Sequence, residues 1–190
     1  MSLVRNRSAF TVGAGGVHPE LAELGAERTA KAFARYAGAT TRLLLSFTFL
    51  WAFFDKTFGW GKSTPSKGSW LNGGSPTLGF LSHAKGPFAG MFHSMAGVGV
   101  VNWLFMLALL GIGTALLLGI GMRIATGSGI ILLVMMWAAS LPLATNPIID
   151  DHLIYATTLV VLAAIGSGRT LGLGTWWEKQ ALVKRFPVLR

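Results

Sequence analysis

Cysteine is absent from the 190 residues. That excludes disulfides, thiolate metal sites, iron–sulfur clusters held by this chain, and thiol catalysis. Redox chemistry on a bound cofactor stays open. Charge is scarce too: Asp, Glu, Lys and Arg make up 12% of the chain, against about a quarter of an ordinary soluble domain. Acids are the scarcer sign, 7 against 16 Lys and Arg, which leaves a net charge of +9. Such an excess can signal nucleic acid. Here the bases gather toward the two ends of the chain, and basic flanks around apolar spans read as membrane topology. No nucleic-acid partner is expected. The first 35 residues are too polar for a cleavable signal peptide, and no small-residue cleavage site follows the first apolar stretch.

What is present is apolar: 52% hydrophobic residues, with 25 glycines and 7 tryptophans. Four stretches approach the ~20 apolar residues that a bilayer crossing needs: 36–54, 100–121, 126–143 and 148–167. The expected fold is all-α, an integral membrane four-helix bundle, the form that satisfies its backbone internally. Arg5, Arg7, Arg28, Lys31 and Arg35 precede the first span, Arg123 lies in the second connection, and Arg169, Lys179, Lys184, Arg185 and Arg190 follow the last. The positive-inside rule then places both termini in the cytoplasm of a multi-pass cell-membrane protein. Residues 1–35 form a cytoplasmic tail with a surface helix, in which Glu23, Glu27, Lys31 and Arg35 stand at i, i+4 spacing. Residues 36–168 form the membrane domain, and 169–190 a basic interfacial tail anchored by Trp176 and Trp177. On the second span, Gly111, Ala115 and Gly119 make a small-residue stripe suited to close helix packing.

A long extracytoplasmic loop, 55–99, joins the first two spans and exceeds a plain connector. Its "GWGKST" has Lys56 where a phosphate-binding loop needs its first glycine, so that reading is rejected. The second half, with His83 and His93, reads as a helix broken near Gly86-Pro87 that caps the bundle or lies on the membrane surface. Lys56, Lys62, Lys67 and Lys85 either meet lipid headgroups or collect an anionic substrate.

"NPIIDDHLIY" opens the fourth span with ionisable groups. Asn146 as cap and Pro147 as first helical residue would leave Asp150 and Asp151 near the positive end of the helix dipole. The other reading is functional. Asp151 and Tyr155 share a face with Thr158 and would descend into the bundle, while Asp55 and Lys56 end the first span at the same height. Asp55, Lys56, His83, His93, Asp150, Asp151 and His152 then meet in one outer pocket walled by Trp51, Trp70 and Phe92. Ionisable groups near membrane depth are functional candidates, and carboxylate–histidine groups exchange protons near neutral pH. No histidine pair has the spacing that sets two ligands on one helix face, so neither haem nor a metal is expected. Arg42 is expected to snorkel to the cytoplasmic interface. No repeated halves or interrupted helix pair point to a transporter.

"TRLLLSFTFLWAFFDKTFG", with Arg42 at the start and Lys56 at the end of the first span, resembles the opening of the DoxX/DoxD membrane proteins. "GSWLNGG", "SPTLGFL" with "GPFAGMF", and the closing "GSGRTLGLG" with Arg169 resemble later parts of the DoxD branch, so the likeness covers 42–177. It implies a membrane subunit of a thiosulfate:quinone oxidoreductase, with membrane quinone as substrate and a DoxA-like partner. Asp150, Asp151, His152 and Asp55 would then handle protons, and Lys56, His83, His93, Trp51 and Tyr155 would bind quinone or anion. The alternative is a non-catalytic accessory subunit of a larger respiratory complex, docked through its basic tails.

Overall fold

The computed structural model describes residues 19–190, and Arg5 and Arg7 lie outside that range. The chain divides into two units, Met1–Phe33 and Ala34–Arg190. Within the first, Lys31 pairs with Glu27 one helical turn away. Among the described residues every regular element is helical: α1 (Pro19–Phe58), α2 (Leu78–Leu81), α3 (Ala89–Met95), α4 (Gly99–Leu118), α5 (Met122–Ala139), α6 (Asp151–Ala164), α7 (Gly174–Trp177) and α8 (Ala181–Arg185), with short 3₁₀ turns between them.

Three helices, α1, α4 and α5, are long and apolar enough to cross a membrane. Their exposed positions are also apolar: Leu44 and Phe47 on α1, Leu104 and Leu107 on α4, Ile131 and Val134 on α5. A helix that is hydrophobic all round belongs in a core or a bilayer, and these features are compatible with a multi-pass membrane protein. The fourth apolar helix, α6, has 14 residues, about 21 Å at 1.5 Å per residue.

Side chains from four helices meet in one core: Leu45 and Phe49 of α1, Met106 and Ile112 of α4, Leu133 of α5, and Leu159 of α6. α1 approaches α4 closely at Gly113, where a Cβ would sit 2.8 Å from the Leu50 side chain and where Ser46 donates to the Gly113 carbonyl at 2.8 Å. The α1–α4 seam is therefore at Gly113 rather than along Gly111–Ala115–Gly119, although Gly119 at the end of that stripe closely approaches the backbone of Gly168. Gly111 faces open space, because two residues along a helix turn the side chain to nearly the opposite side. A second apolar cluster, Leu81, Ala84, Phe92 and Ala139, ties α2 and α3 to the end of α5. Gly86 and Pro87 fall in the gap between α2 and α3.

The C-terminal end of α4 accounts for its last carbonyls, which have no partners within the helix. Ala115 O accepts from Gly119 N and Ile120 N, and Leu118 O accepts from Leu173 N at 2.7 Å. Leu116 O and Leu117 O accept from Arg42. The other arm of the same guanidinium donates to Thr170 O at 3.2 Å and Leu171 O at 2.8 Å. Arg42 is fully buried, at 0% exposure, and does not snorkel. Its charge faces the negative end of the α4 dipole and a ring of carbonyls rather than a carboxylate. The glycines of "GSGRTLGLG" let this segment lie against α4: a Cβ on Gly168 would sit 2.3 Å from the Gly119 carbonyl. Leu171 adopts a positive φ of 51°, strained for a bulky residue, in presenting its carbonyl to Arg42.

Candidate functional site

An apolar cavity of about 350 Å³ opens between α4 and α5 under the α2–α3 segment. Its walls include Phe80 and Leu81, Phe92 and Met95, Leu104 and Ala108, Ile131 and Met135. Its size and lining suit a small lipophilic ring. The methionines add adaptable contacts. Thr77, at one edge, is held in place because Asn102 Oδ1 accepts from its hydroxyl at 2.6 Å and from Ser75 Oγ at 2.9 Å. Next to this groove, and sharing Phe80 with it, lies a polar vestibule of about 380 Å³ lined by His83, Lys85 and Ser140. His83 Nδ1 lies 2.7 Å from Gly79 O, so that nitrogen carries the proton and Nε2 is left as an acceptor toward its surroundings. Apolar groove and polar vestibule together would take a ligand with an apolar body and an oxygen-bearing head.

Asp150 is the N-cap of α6, its Oδ1 accepting from Leu153 N at 3.3 Å. Asn146 does not cap this helix. Its Oδ1 accepts from Ile148 N and Ile149 N, both at 2.9 Å, closing a turn ahead of the helix. The second Asp150 oxygen lies 2.7 Å from His152 Nδ1. Asp151, exposed, stands 3.6 Å from the same nitrogen. One carboxylate thus both starts the helix and orients the imidazole, a pairing able to pass protons to water. The ligand atoms of Asp150, Asp151 and His152 lie within 4.8 Å of one another and are those that could hold a cation.

The remaining candidates have other positions. Asp55, at 0% exposure, accepts from Ser63 Oγ at 2.7 Å, Ser63 N at 3.1 Å and Lys62 N at 3.3 Å. "GWGKST" therefore does cradle an anion through backbone N–H groups, and the anion is the chain's own Asp55. Lys56 places Nζ 5.8 Å from the centroid of Phe105, a cation–π contact on a groove residue. His93 Nε2 lies 2.9 Å from Ala84 O and pins α3 to the end of α2. Trp51 packs with Phe47 on α1 and with Trp60 in the loop that follows it, and is not among the groove's walls. Tyr155 packs against the main core. Among the described residues, no ion pair joins Asp55, Lys56, His83 or His93 to the Asp150–His152 group. The groove walls on α4 and α5 had no distinguishing signal, since apolar residues on an apolar helix look alike whether they face lipid or a cavity.

Asp55→Asn is expected to put an amide NH₂ against backbone donors, at a cost of about 1–3 kcal/mol. Limited trypsin digestion should then cut faster after Lys62 while other sites keep their rates. Unchanged cutting at Lys62 would show that Asp55 does not hold this turn.

Comparison of the chain with protein-family models, with curated proteins and with solved structures gives no significant match.

Proposed function

We propose that the chain is a cell-membrane protein of the DoxX/DoxD type, that α1, α4, α5 and α6 form a four-span bundle with both termini cytoplasmic, and that it is the quinone-interacting subunit of a sulfur-linked oxidoreductase. The observation that carries the quinone reading is the apolar groove with the His83–Lys85 vestibule beside it, Phe80 lining both. The ring would lie between Phe92, Met95 and Met135, with a carbonyl oxygen toward the Lys85 ammonium, which can donate to it. Protons needed to make the quinol would come from the outer face, where Asp150 and His152 pair. α6 is about 21 Å long, shorter than the ~30 Å hydrocarbon core, so for Asp150–His152 to reach headgroup depth the bilayer would thin around it. Thiosulfate as donor and a DoxA-like partner rest on the sequence resemblance alone.

The test is to extract the protein from native membranes in mild detergent and score bound quinone and co-purifying proteins by native mass spectrometry. Bound quinone, lost in Ala108→Trp without loss of monodisperse protein, is the expected result. Equal quinone in both forms, or none in the wild type, would remove the reading.

One observation favours the accessory-subunit reading. Asp55, Lys56 and His93 are engaged in fixing loops and helices, contacts that account for these residues without a catalytic centre. Asp150→Asn separates the two. Lost quinone reduction with intact assembly supports the oxidoreductase, whereas normal turnover of the complex supports the scaffold.

A further inference from the structure

At the end of the molecule marked by Arg42, a separate cavity of about 210 Å³ is lined by Arg123, Arg169, Arg190, Glu178 and Trp177, with Ile165 at its border. We infer that this cavity binds the phosphate of an anionic phospholipid. Three arginines line it against one acidic side chain, Glu178, and the main-chain oxygen of Arg190 accepts from Arg123 N at 2.8 Å. Arg169 Nε donates to Glu178 at 2.9 Å, and Arg123 Nη1 donates to Pro187 O at 3.0 Å. Each contact uses one of the five N–H donors of a guanidinium and fixes its plane. Among the described residues no further hydrogen bond engages either side chain, so both keep paired donors for phosphate oxygens, the geometry in which arginine excels.

The surroundings select a lipid rather than a free ion. Ile165 lines the cavity and is exposed, as are Ile124 and Leu117 at the same ends of α5 and α4. Trp177 is fixed by donation of its indole N–H to Leu189 O, and Trp176 beside it is exposed. An arginine pocket bordered by apolar helix ends and tryptophans matches the boundary between headgroup and acyl chain. The cavity is assembled from the α4–α5 connection, the "GSGRTLGLG" segment and the C-terminal helices, so an occupant would join three stretches of chain.

The experiment is native mass spectrometry of the full chain released from nanodiscs of equimolar phosphatidylglycerol and phosphatidylcholine. Wild type should retain phosphatidylglycerol preferentially. Arg123→Gln with Arg169→Gln should lower that retention about tenfold, the scale of one charge-assisted hydrogen bond. Glu178→Gln should raise it, an opposite sign that general destabilisation does not produce. Equal retention of the two lipids by wild type, full retention by the double variant, or a fall in Glu178→Gln would each overturn the inference. Displacement of phosphatidylglycerol by millimolar inorganic phosphate would assign the site to the free anion and overturn the lipid.

Discussion

Arg42→Ala lowers the stability of the folded chain by about 3–5 kcal/mol, because four carbonyls lose their donor at once and each polar group left buried and unsatisfied costs about 1–3 kcal/mol. The side chain is wholly buried and donates to four carbonyls in two segments distant in sequence. Two of these carbonyls belong to the last turn of α4, where no backbone donor can replace it. Water would reach the end of the helix only by separating the 166–174 segment from α4. Thermal unfolding in a fixed detergent, followed by near-ultraviolet tryptophan signal, reads the loss. Arg42→Lys should recover only part of it. An ammonium keeps the charge at the dipole's negative end, but lacks the fork that spans both pairs of carbonyls. Equal stability of wild type and Arg42→Ala would mean that the guanidinium is not the clasp described.

Gly168→Ala is the second large effect. The new methyl would stand 2.3 Å from the Gly119 carbonyl oxygen and 3.0 Å from its carbon. Both are backbone atoms, and Gly119 itself holds a positive φ of 70° in capping α4. No flexible side chain can move aside, so the segment must shift, at a cost of about 1–3 kcal/mol or more. The shift would pull Thr170 and Leu171 away from Arg42. The two substitutions should therefore be strongly sub-additive in a double-mutant cycle. Gly127→Ala is the control. It faces open space on α5 and should cost nothing. Additive losses from Arg42→Ala and Gly168→Ala would separate the glycine contact from the arginine clasp.

Hydropathy and helix punctuation made much of this architecture readable in the sequence. The apolar cores of α4 and α5, the break at Gly86-Pro87, and an acidic start to α6 are local features, and local chemistry decides them. Tertiary features were not readable in the same way. An arginine six residues past Tyr36 looks like one reaching for headgroups, because nothing on α1 shows that α4 ends beside it. The missed signal was the glycine spacing in "GSGRTLGLG", which marks close backbone approach and hence something worth enclosing. Asp55 and "GWGKST" were each noticed, but their union depends on the chain turning back within eight residues. The groove was invisible for a different reason. It is bounded by four separate segments, and only Phe92 among its walls stood out as an aromatic near a histidine.

The two buried ionised groups, one at each end, follow one pattern. Backbone N–H groups surround Asp55 at one end, and backbone carbonyls surround Arg42 at the other. Each ionised group is neutralised by peptide dipoles rather than by an opposite charge. In an apolar setting this gives the same electrostatic relief without a second charge to desolvate. It also explains how so weakly charged a chain holds both groups fully buried.

The central claim is that the groove between α4 and α5 holds a quinone ring. Photolabelling of native membranes with an azido-quinone, followed by peptide mapping, addresses it most directly. The account predicts label on the segments carrying Leu104, Ala108, Met135 and Met136, suppressed by excess unlabelled quinone. Label spread over exposed apolar positions on other helices, such as Leu44 and Val161, with no competition, would contradict it.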